Sequence, residues 1–155
     1  MPHEADITAS LCGACTTLAA GRASGFAGNH LFVAELAESV AVLHEHQCLA
    51  GWCVLLLKEH AEHLWSLPVA RQARLFDDVA RVAQAVRHVC LPRRINYECL
   101  GNVMAHVHWH VVPRYTAPTD PDPAAPVWVQ PREFLQCGHQ TDRAADLAAR
   151  LRAAL

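Results

Sequence analysis

Long apolar runs are missing: no stretch approaches the roughly 18 residues needed to span a bilayer, so a membrane-crossing helix is not expected. The opening Met1-Pro2-His3-Glu4-Ala5-Asp6 lacks the basic-then-apolar order of a secretory signal. The expectation is a cytoplasmic protein whose seven cysteines stay reduced, and an odd count argues against a disulfide framework. Lysine is almost absent, with Lys58 alone, and there is no basic run. With 13 Lys+Arg against 15 Asp+Glu, broad electrostatic capture of nucleic acid is not expected. Internal repeats and composition breaks are absent too, so 155 residues read as one domain with a real core.

What is present is histidine, eleven in all, and three of them stand in His106-Val107-His108-Trp109-His110-Val111-Val112-Pro113-Arg114. Side chains alternate across a strand, so this spacing puts the three imidazoles on one face in steps of about 7 Å. Val107, Trp109 and Val111 make the other face, fit for burial.

The rest of the chain supplies a scaffold. Ser10 to Gly21 predicts a short helix stopped by its glycine, and it contains Cys12-x-x-Cys15. His30–Leu36 and Ser39–His44 predict a hairpin with a tight connection at Glu38-Ser39. The apolar run in Gly51–Lys58 predicts a central strand buried on both faces. After a helical turn at His60–Trp65, Leu75, Val79, Val82, Val86 and Val89 recur at helical spacing, with Phe76, Ala83 and Cys90 beside them. They predict a helix over Pro68–Cys90, capped by Ser66, with Pro68 in its first turn.

Arg94–Glu98 predicts a fourth strand, and Leu100-Gly101-Asn102 turns the chain into the histidine strand. Positions 113–131 hold six of the nine prolines and predict an extended surface segment in which Trp128 needs a docking place. A last helix runs from Thr141 or Asp142 to Leu155, with Leu147 and Leu151 on one side and Asp146 paired to Arg150. The order predicts an α+β single domain: a five-stranded antiparallel sheet with one long packing helix and a C-terminal helix. Its core spans about 10–115, followed by segments 113–131 and 141–155.

Three in-line imidazoles allow three chemistries: polar residues of a half-exposed strand, a metal site with a ligand from elsewhere, or nucleophilic attack with a neighbouring histidine orienting or protonating. The residues alone do not separate the last two. His60, His63, His44 and His46 read as surface or capping residues, and Trp52 and Trp65 as core or rim aromatics.

The stretch His106-Val107-His108-Trp109-His110-Val111-Val112 resembles the signature of the histidine-triad (HIT) superfamily, His-φ-His-φ-His-φ-φ with φ apolar, at every position. Gly51 to His60 is similar to the family's Pro-Gly-His-x-Leu-Val-x-Pro-Lys-x-His segment, and Asn96 to Gly101 resembles its phosphate-contacting strand and loop. The resemblance covers Cys12 to Arg114. Trp109 and Pro126-Val127-Trp128 look like a proteobacterial subgroup labelled diadenosine-tetraphosphate-hydrolase-like.

The resemblance implies a nucleotide hydrolase or nucleotidyl transferase acting at the α-phosphate of dinucleoside polyphosphates or nucleoside phosphoramidates, adenine nucleotides by family habit. His108 would be the nucleophile, His110 would contact the phosphate and leaving-group side, and His106 would orient the cluster. Asn96 and the backbone around Gly101, Asn102 and Val103 would hold phosphate oxygens, Gly101 having a second reason in a tight turn of positive φ. Phe32 and Trp52 would flank a base. No cofactor is required, and relatives pair through the long helix and a neighbouring strand into a homodimer. The alternative is a non-catalytic nucleotide-binding or scaffold protein of the same family.

Two departures stand out. Trp52 occupies a position where many relatives have a histidine that supports the triad or, in zinc-containing members, ligates zinc with two N-terminal cysteines and the first triad histidine. Cys12 and Cys15 are therefore weak metal candidates, one ligand short unless His44, His46 or another group replaces it. Val103 stands near a position where relatives often carry a hydroxyl residue.

Overall fold

A continuous apolar run has to be buried on both faces, and Cys53–Leu57 (β3) accordingly forms the middle of the sheet. The computed structural model describes residues 12–26, 29, 31–137 and 141–155. Phe32–Glu35 (β1), Ser39–Leu43 (β2), Arg94–Glu98 (β4) and His108–Arg114 (β5) complete one antiparallel sheet in the order β1-β2-β3-β5-β4. The predicted α+β architecture is the one observed. Among the described residues no helix is long and apolar enough to cross a membrane.

Register decides which residues share a face. Val54 lies opposite His110 and Leu56 opposite His108 across β3–β5, while Glu98 and Asn96 lie opposite His110 and Val112 across β4–β5. The histidines therefore share a face with Val54, Leu56, Asn96 and Glu98. On the other face Ala41, Leu43, Cys53, Leu55 and Val111 form the main core, covered by Val69–Cys90 (α2) through Val79, Val82, Ala83 and Val86. Thr141–Ala153 (α4) adds Ala144, Ala148 and Leu151 to the same core, with Leu147 packed alongside and the Asp146–Arg150 pair at 3.9 Å.

Several local expectations change. Gly13–Ala23 (α1) runs two residues past Gly21 and ends before Gly25 and Phe26, both of positive φ; what Ser10 and Leu11 do lies outside the described residues. Ser66 does not cap α2: Pro68 stands at the N-cap, and the Ser66 hydroxyl donates to the His63 carbonyl inside a 3-10 turn, Leu64–Ser66. Phe76 leaves the apolar stripe and is half exposed against Trp109. α2 ends at Leu91 in the left-handed conformation, with Pro92 preventing continuation.

The hairpin turn is fixed by a carboxylate that no sequence pattern singled out. Asp78, fully buried inside α2, accepts backbone N–H bonds from Ala37 (3.2 Å), Glu38 (2.8 Å) and Ser39 (3.0 Å) and the Ser39 hydroxyl (2.9 Å).

The expectation of uniformly reduced cysteines is corrected: Cys48 and Cys137 form a disulfide, their Cα atoms 5.6 Å apart across 89 residues of sequence. Such a distance in sequence leaves no local trace, since only the fold brings the β2–β3 loop to the C-terminal segment. Cys12, Cys15, Cys53, Cys90 and Cys99 are free.

The proline-rich stretch lies mostly at the surface, as expected, but it is folded back rather than extended. Arg114 makes two hydrogen bonds to the buried Asp120 carboxylate, at 2.7 and 3.0 Å, and donates to the Ala125 and Asp122 carbonyls at 2.6 and 2.8 Å. This folds the segment back, so that a 3-10 turn at Val127–Val129 and a short helix, Arg132–Leu135 (α3), pack on the histidine face. Val127 is buried with Leu49, Trp52 and Val112.

Candidate functional site

The three histidines are 1, 7 and 8 % exposed in chain order, so the face that carries them is buried as well as the opposite one. α1 covers it from one side through Ala14 and Leu18, and the Leu49–Trp52 loop and Val127 cover it from the other. His106 precedes β5 itself, but the chain there is already fixed: the Val107 N–H donates to the Ala61 carbonyl at 2.7 Å and its carbonyl accepts from Leu57 at 3.1 Å.

Each ring has a different set of partners, and these assign its proton. His106 Nε2 lies 2.9 Å from the Leu57 carbonyl, an acceptor, so the proton sits there and Nδ1 keeps its lone pair. His108 Nδ1 lies 2.7 Å from the His106 carbonyl, so Nδ1 is the donor and Nε2 has the free lone pair. His110 Nδ1 accepts from Trp52 Nε1–H at 3.2 Å, which leaves the proton on Nε2. The His108 and His110 rings meet edge to face, centroids 5.2 Å apart.

Burial pushes His110 down to about 4, helped by the neighbouring His108 and His44. Burial also lowers His44, which stacks on Trp52 at 4.0 Å. A histidine of the unfolded chain titrates near pH 6.5, so the unfolded state takes up protons first as pH falls. The stability gained by keeping these rings neutral is full above about pH 6.5 and is lost as pH falls toward 4. The melting temperature should therefore decline between pH 6.5 and 5, above the carboxylate range; a flat profile there would contradict the assignment.

On the far side of His106 a second constellation closes. The Cys12 and Cys15 sulfurs lie 3.5 and 3.6 Å from His106 Nδ1, and Cys15 lies 3.5 Å from His60 Nδ1. All four donor atoms fall within 4.8 Å of one another. A tetrahedral zinc with bonds of about 2.3 Å to sulfur and 2.05 Å to nitrogen separates an S and an N ligand by about 3.6 Å. The second ring nitrogen of His106 is held by a carbonyl, as metal-ligating histidines require. Burial, with Cys12 beside it, pushes the Cys15 thiol up to about 11, so a lone thiolate is unfavourable there without a cation. The residues fit a zinc ion. The fourth ligand is His60, in place of the surface or capping role expected from the sequence; its signal is the Lys58-Glu59-His60 ending of the family-like segment. His44 and His46 belong instead to the Trp52 side of the sheet.

The remaining candidates separate. Trp52 does not offer a face to a base: it is fully buried, stacked on His44, and its N–H is committed to His110. Trp128, missed as a site residue, stands 5.1 Å from His110 and 5.5 Å from Trp52, its N–H donating to the Glu98 carboxylate. Phe32 lies on the histidine face but on β1, three strands from β5, its ring stacked on Phe26 at 4.3 Å. Asn96 is half-buried on the histidine face.

Gly101, Asn102 and Val103 form an exposed bend. Gly101 has no positive φ, and a Cβ there would meet nothing within 4 Å, so the tight-turn reason for it falls. That requirement falls on Gly25 and on Gly51, where φ is +93° and Cys90 Sγ lies 2.7 Å from where a Cβ would sit. Val103 borders an open cavity of about 280 Å³ with Cys12, Gly13, His60 and Glu62.

No curated protein matches the sequence. Solved structures do share the fold. A histidine triad protein of Bradyrhizobium japonicum superposes with a TM-score of 0.69 at 23 % identity, covering 79 % of this chain and 88 % of that one. One from Sinorhizobium meliloti 1021 gives 0.70 at 22 %, covering 81 and 89 %. A zinc-bound histidine triad family protein of Mycobacterium smegmatis gives 0.63 at 21 %, covering 94 % of each. The family model for the HIT domain matches residues 28–117, more than half of the chain and the whole of the histidine strand, and the protein belongs to the HIT domain family.

Proposed function

We propose that this protein is a nucleotide hydrolase or nucleotidyl transferase that works through a covalent nucleotidyl-histidine on His108. The observation that carries the reading is the 2.7 Å bond from His108 Nδ1–H to the His106 carbonyl, which leaves the Nε2 lone pair as the nucleophile. Nε2 attacks the α-phosphorus as the bond to the leaving group breaks, and that bond's electron pair departs with the leaving group. Water then attacks the same phosphorus, the P–N pair returns to Nε2, and the proton shed by the attacking water passes to solvent. His110 Nε2–H supports the leaving-group oxygen, and His106 orients His108 through its carbonyl. Asn96 and the backbone N–H groups of Gly101, Asn102 and Val103 hold phosphate oxygens, and Phe32 with Phe26 forms the apolar wall for the nucleoside.

Substrates in this reading are dinucleoside polyphosphates or nucleoside phosphoramidates, adenine-bearing by family habit, as in the diadenosine-tetraphosphate-hydrolase-like subgroup. The protein works as a two-fold homodimer through α2 and the outer edge of β4, which pairs with no strand among the described residues. It shares the cytoplasm with its nucleotides, where the Cys48–Cys137 bond meets a reducing thiol pool. Intact-protein mass after brief mixing with diadenosine tetraphosphate tests the chemistry. The parent should gain one nucleotidyl group, the mass of a nucleoside monophosphate less one water, and His108→Ala none. If neither gains mass and no product is released, the non-catalytic binding reading takes its place.

Zinc bound by Cys12, Cys15, His60 and His106 would supply a structural clamp that ties the start of α1 to the residue whose carbonyl orients His108. About one zinc per chain should copurify. With metal at a thousand times its Kd, binding contributes about 4 kcal/mol, so a strong chelator should lower the melting temperature by on the order of 10 °C. Cys12→Ser with Cys15→Ser should abolish that response, and an unchanged melting temperature on chelation would remove the zinc assignment.

A further inference from the structure

Resting on that function, we propose that Trp52 is a positioning residue that holds His110 as a neutral Nε2–H donor, so that the site takes nucleotides whose leaving group departs as a phosphate anion rather than as an amine.

An indole N–H can only donate. Where it meets His110 Nδ1 at 3.2 Å it fixes one tautomer, and unlike an imidazole at the same place it can neither take up nor relay a proton. The indole is itself immobilised. His44 stacks on one face at 4.0 Å and 9°, and the Gln47 side chain donates to the His44 and Trp52 carbonyls at 2.7 and 2.9 Å while accepting the Gly51 N–H at 2.8 Å. The titratable groups that face His110 are His108 along β5, His44 behind Trp52 and Glu98 across β4. Two of these are imidazoles, which disfavour a second positive charge. Glu98, the one anion there among the described residues, is engaged by the Trp128 indole N–H, and the Trp128 ring lies edge-on to His110. Trp52 and Trp128 thus enclose the ring and keep water from charging it, in agreement with the direction of its titration.

The consequence lies in the first step. When His108 Nε2 attacks an α-phosphorus bonded through oxygen to a further phosphate, the P–O electron pair leaves on a phosphate oxygen that is stable as an anion. Such an oxygen needs a hydrogen bond and no proton, and His110 Nε2–H supplies that. When the leaving atom is an amine nitrogen, the P–N pair departs only as the nitrogen gains a proton. A neutral His110 would have to become an imidazolate to give one, and His108 Nδ1–H is committed to the His106 carbonyl. Phosphoanhydrides therefore pass and phosphoramidates stall.

The test compares initial rates on diadenosine tetraphosphate and adenosine phosphoramidate for the parent, Trp52→Phe and Trp52→His, with 15N NMR of the His110 ring in each. The parent should favour the anhydride at least 100-fold and show an unprotonated Nδ1. Trp52→Phe should lose about tenfold on the anhydride and its single tautomer, and Trp52→His, which restores a group able to move protons, should raise the phosphoramidate-to-anhydride ratio at least tenfold. Turnover with an unchanged ratio in Trp52→His, or a protonated Nδ1 in the parent, overturns the role given to Trp52 and leaves the nucleophile intact. No turnover and no His108 adduct with either substrate overturns the underlying function, and the substrate class with it.

Discussion

His108→Ala is expected to lower turnover by about 10⁴-fold or more, the scale on which enzymes lose rate when a covalent nucleophile is removed. Affinity for a nucleoside monophosphate should change little, because binding rests on the wall, the loop and the phosphate contacts. The size of the effect follows from what remains. Without His108, His110 and the backbone donors can still polarise a phosphate, but water must attack in one difficult step instead of two easier ones. His110→Ala removes a donor and not the attacking atom, so its loss should be nearer 10²-fold. Steady-state rates with calorimetric binding read both numbers. Retention of more than a per cent of turnover by His108→Ala would sink the covalent route and leave metal-assisted hydrolysis, which chelation would then stop.

Arg114→Met should be the most destabilising change outside the core, at about 3–5 kcal/mol, or on the order of 10 °C in melting temperature. Arg114 and Asp120 are both buried, and the guanidinium also satisfies the carbonyls of Ala125 and Asp122. Taking it away strands a carboxylate, which keeps the Tyr115 N–H at 3.2 Å, and removes the Ala125 carbonyl's donor, while the Asp122 carbonyl retains the Gln130 side chain at 2.8 Å. The pair itself need not be strongly stabilising, since its desolvation offsets its attraction. Arg114→Met with Asp120→Leu should therefore recover more than half of the loss. Denaturant unfolding of the three variants decides, and a single variant within 1 kcal/mol of the parent would refute the account. The loss should reach function too, because this network folds the segment that brings Trp128 to His110.

Much of this was legible beforehand because the signals were periodic. The alternation in His106–Val112, the apolar run of β3 and the helical stripe of α2 each follow from one repeating geometry. Single residues acting across the fold were not legible. Asp78 looks like any surface carboxylate on a helix until the hairpin turn is laid against it. His60 and Trp128 reach the histidine cluster only where loops converge on β5, and Trp52, expected beside a base, hydrogen-bonds His110 instead. Cys48 and Cys137 gave no sign of each other. Polar partners distant in sequence have no period, so the pattern that reveals a strand cannot reveal them.

The Cys48–Cys137 bond closes the chain into a covalent ring that contains β3, α2, β4 and all three triad histidines. A protease that cuts once anywhere between the two cysteines would open that ring without releasing a fragment. Nicked protein would run as a single full-mass species on a non-reducing gel and fall into two pieces when thiol is added.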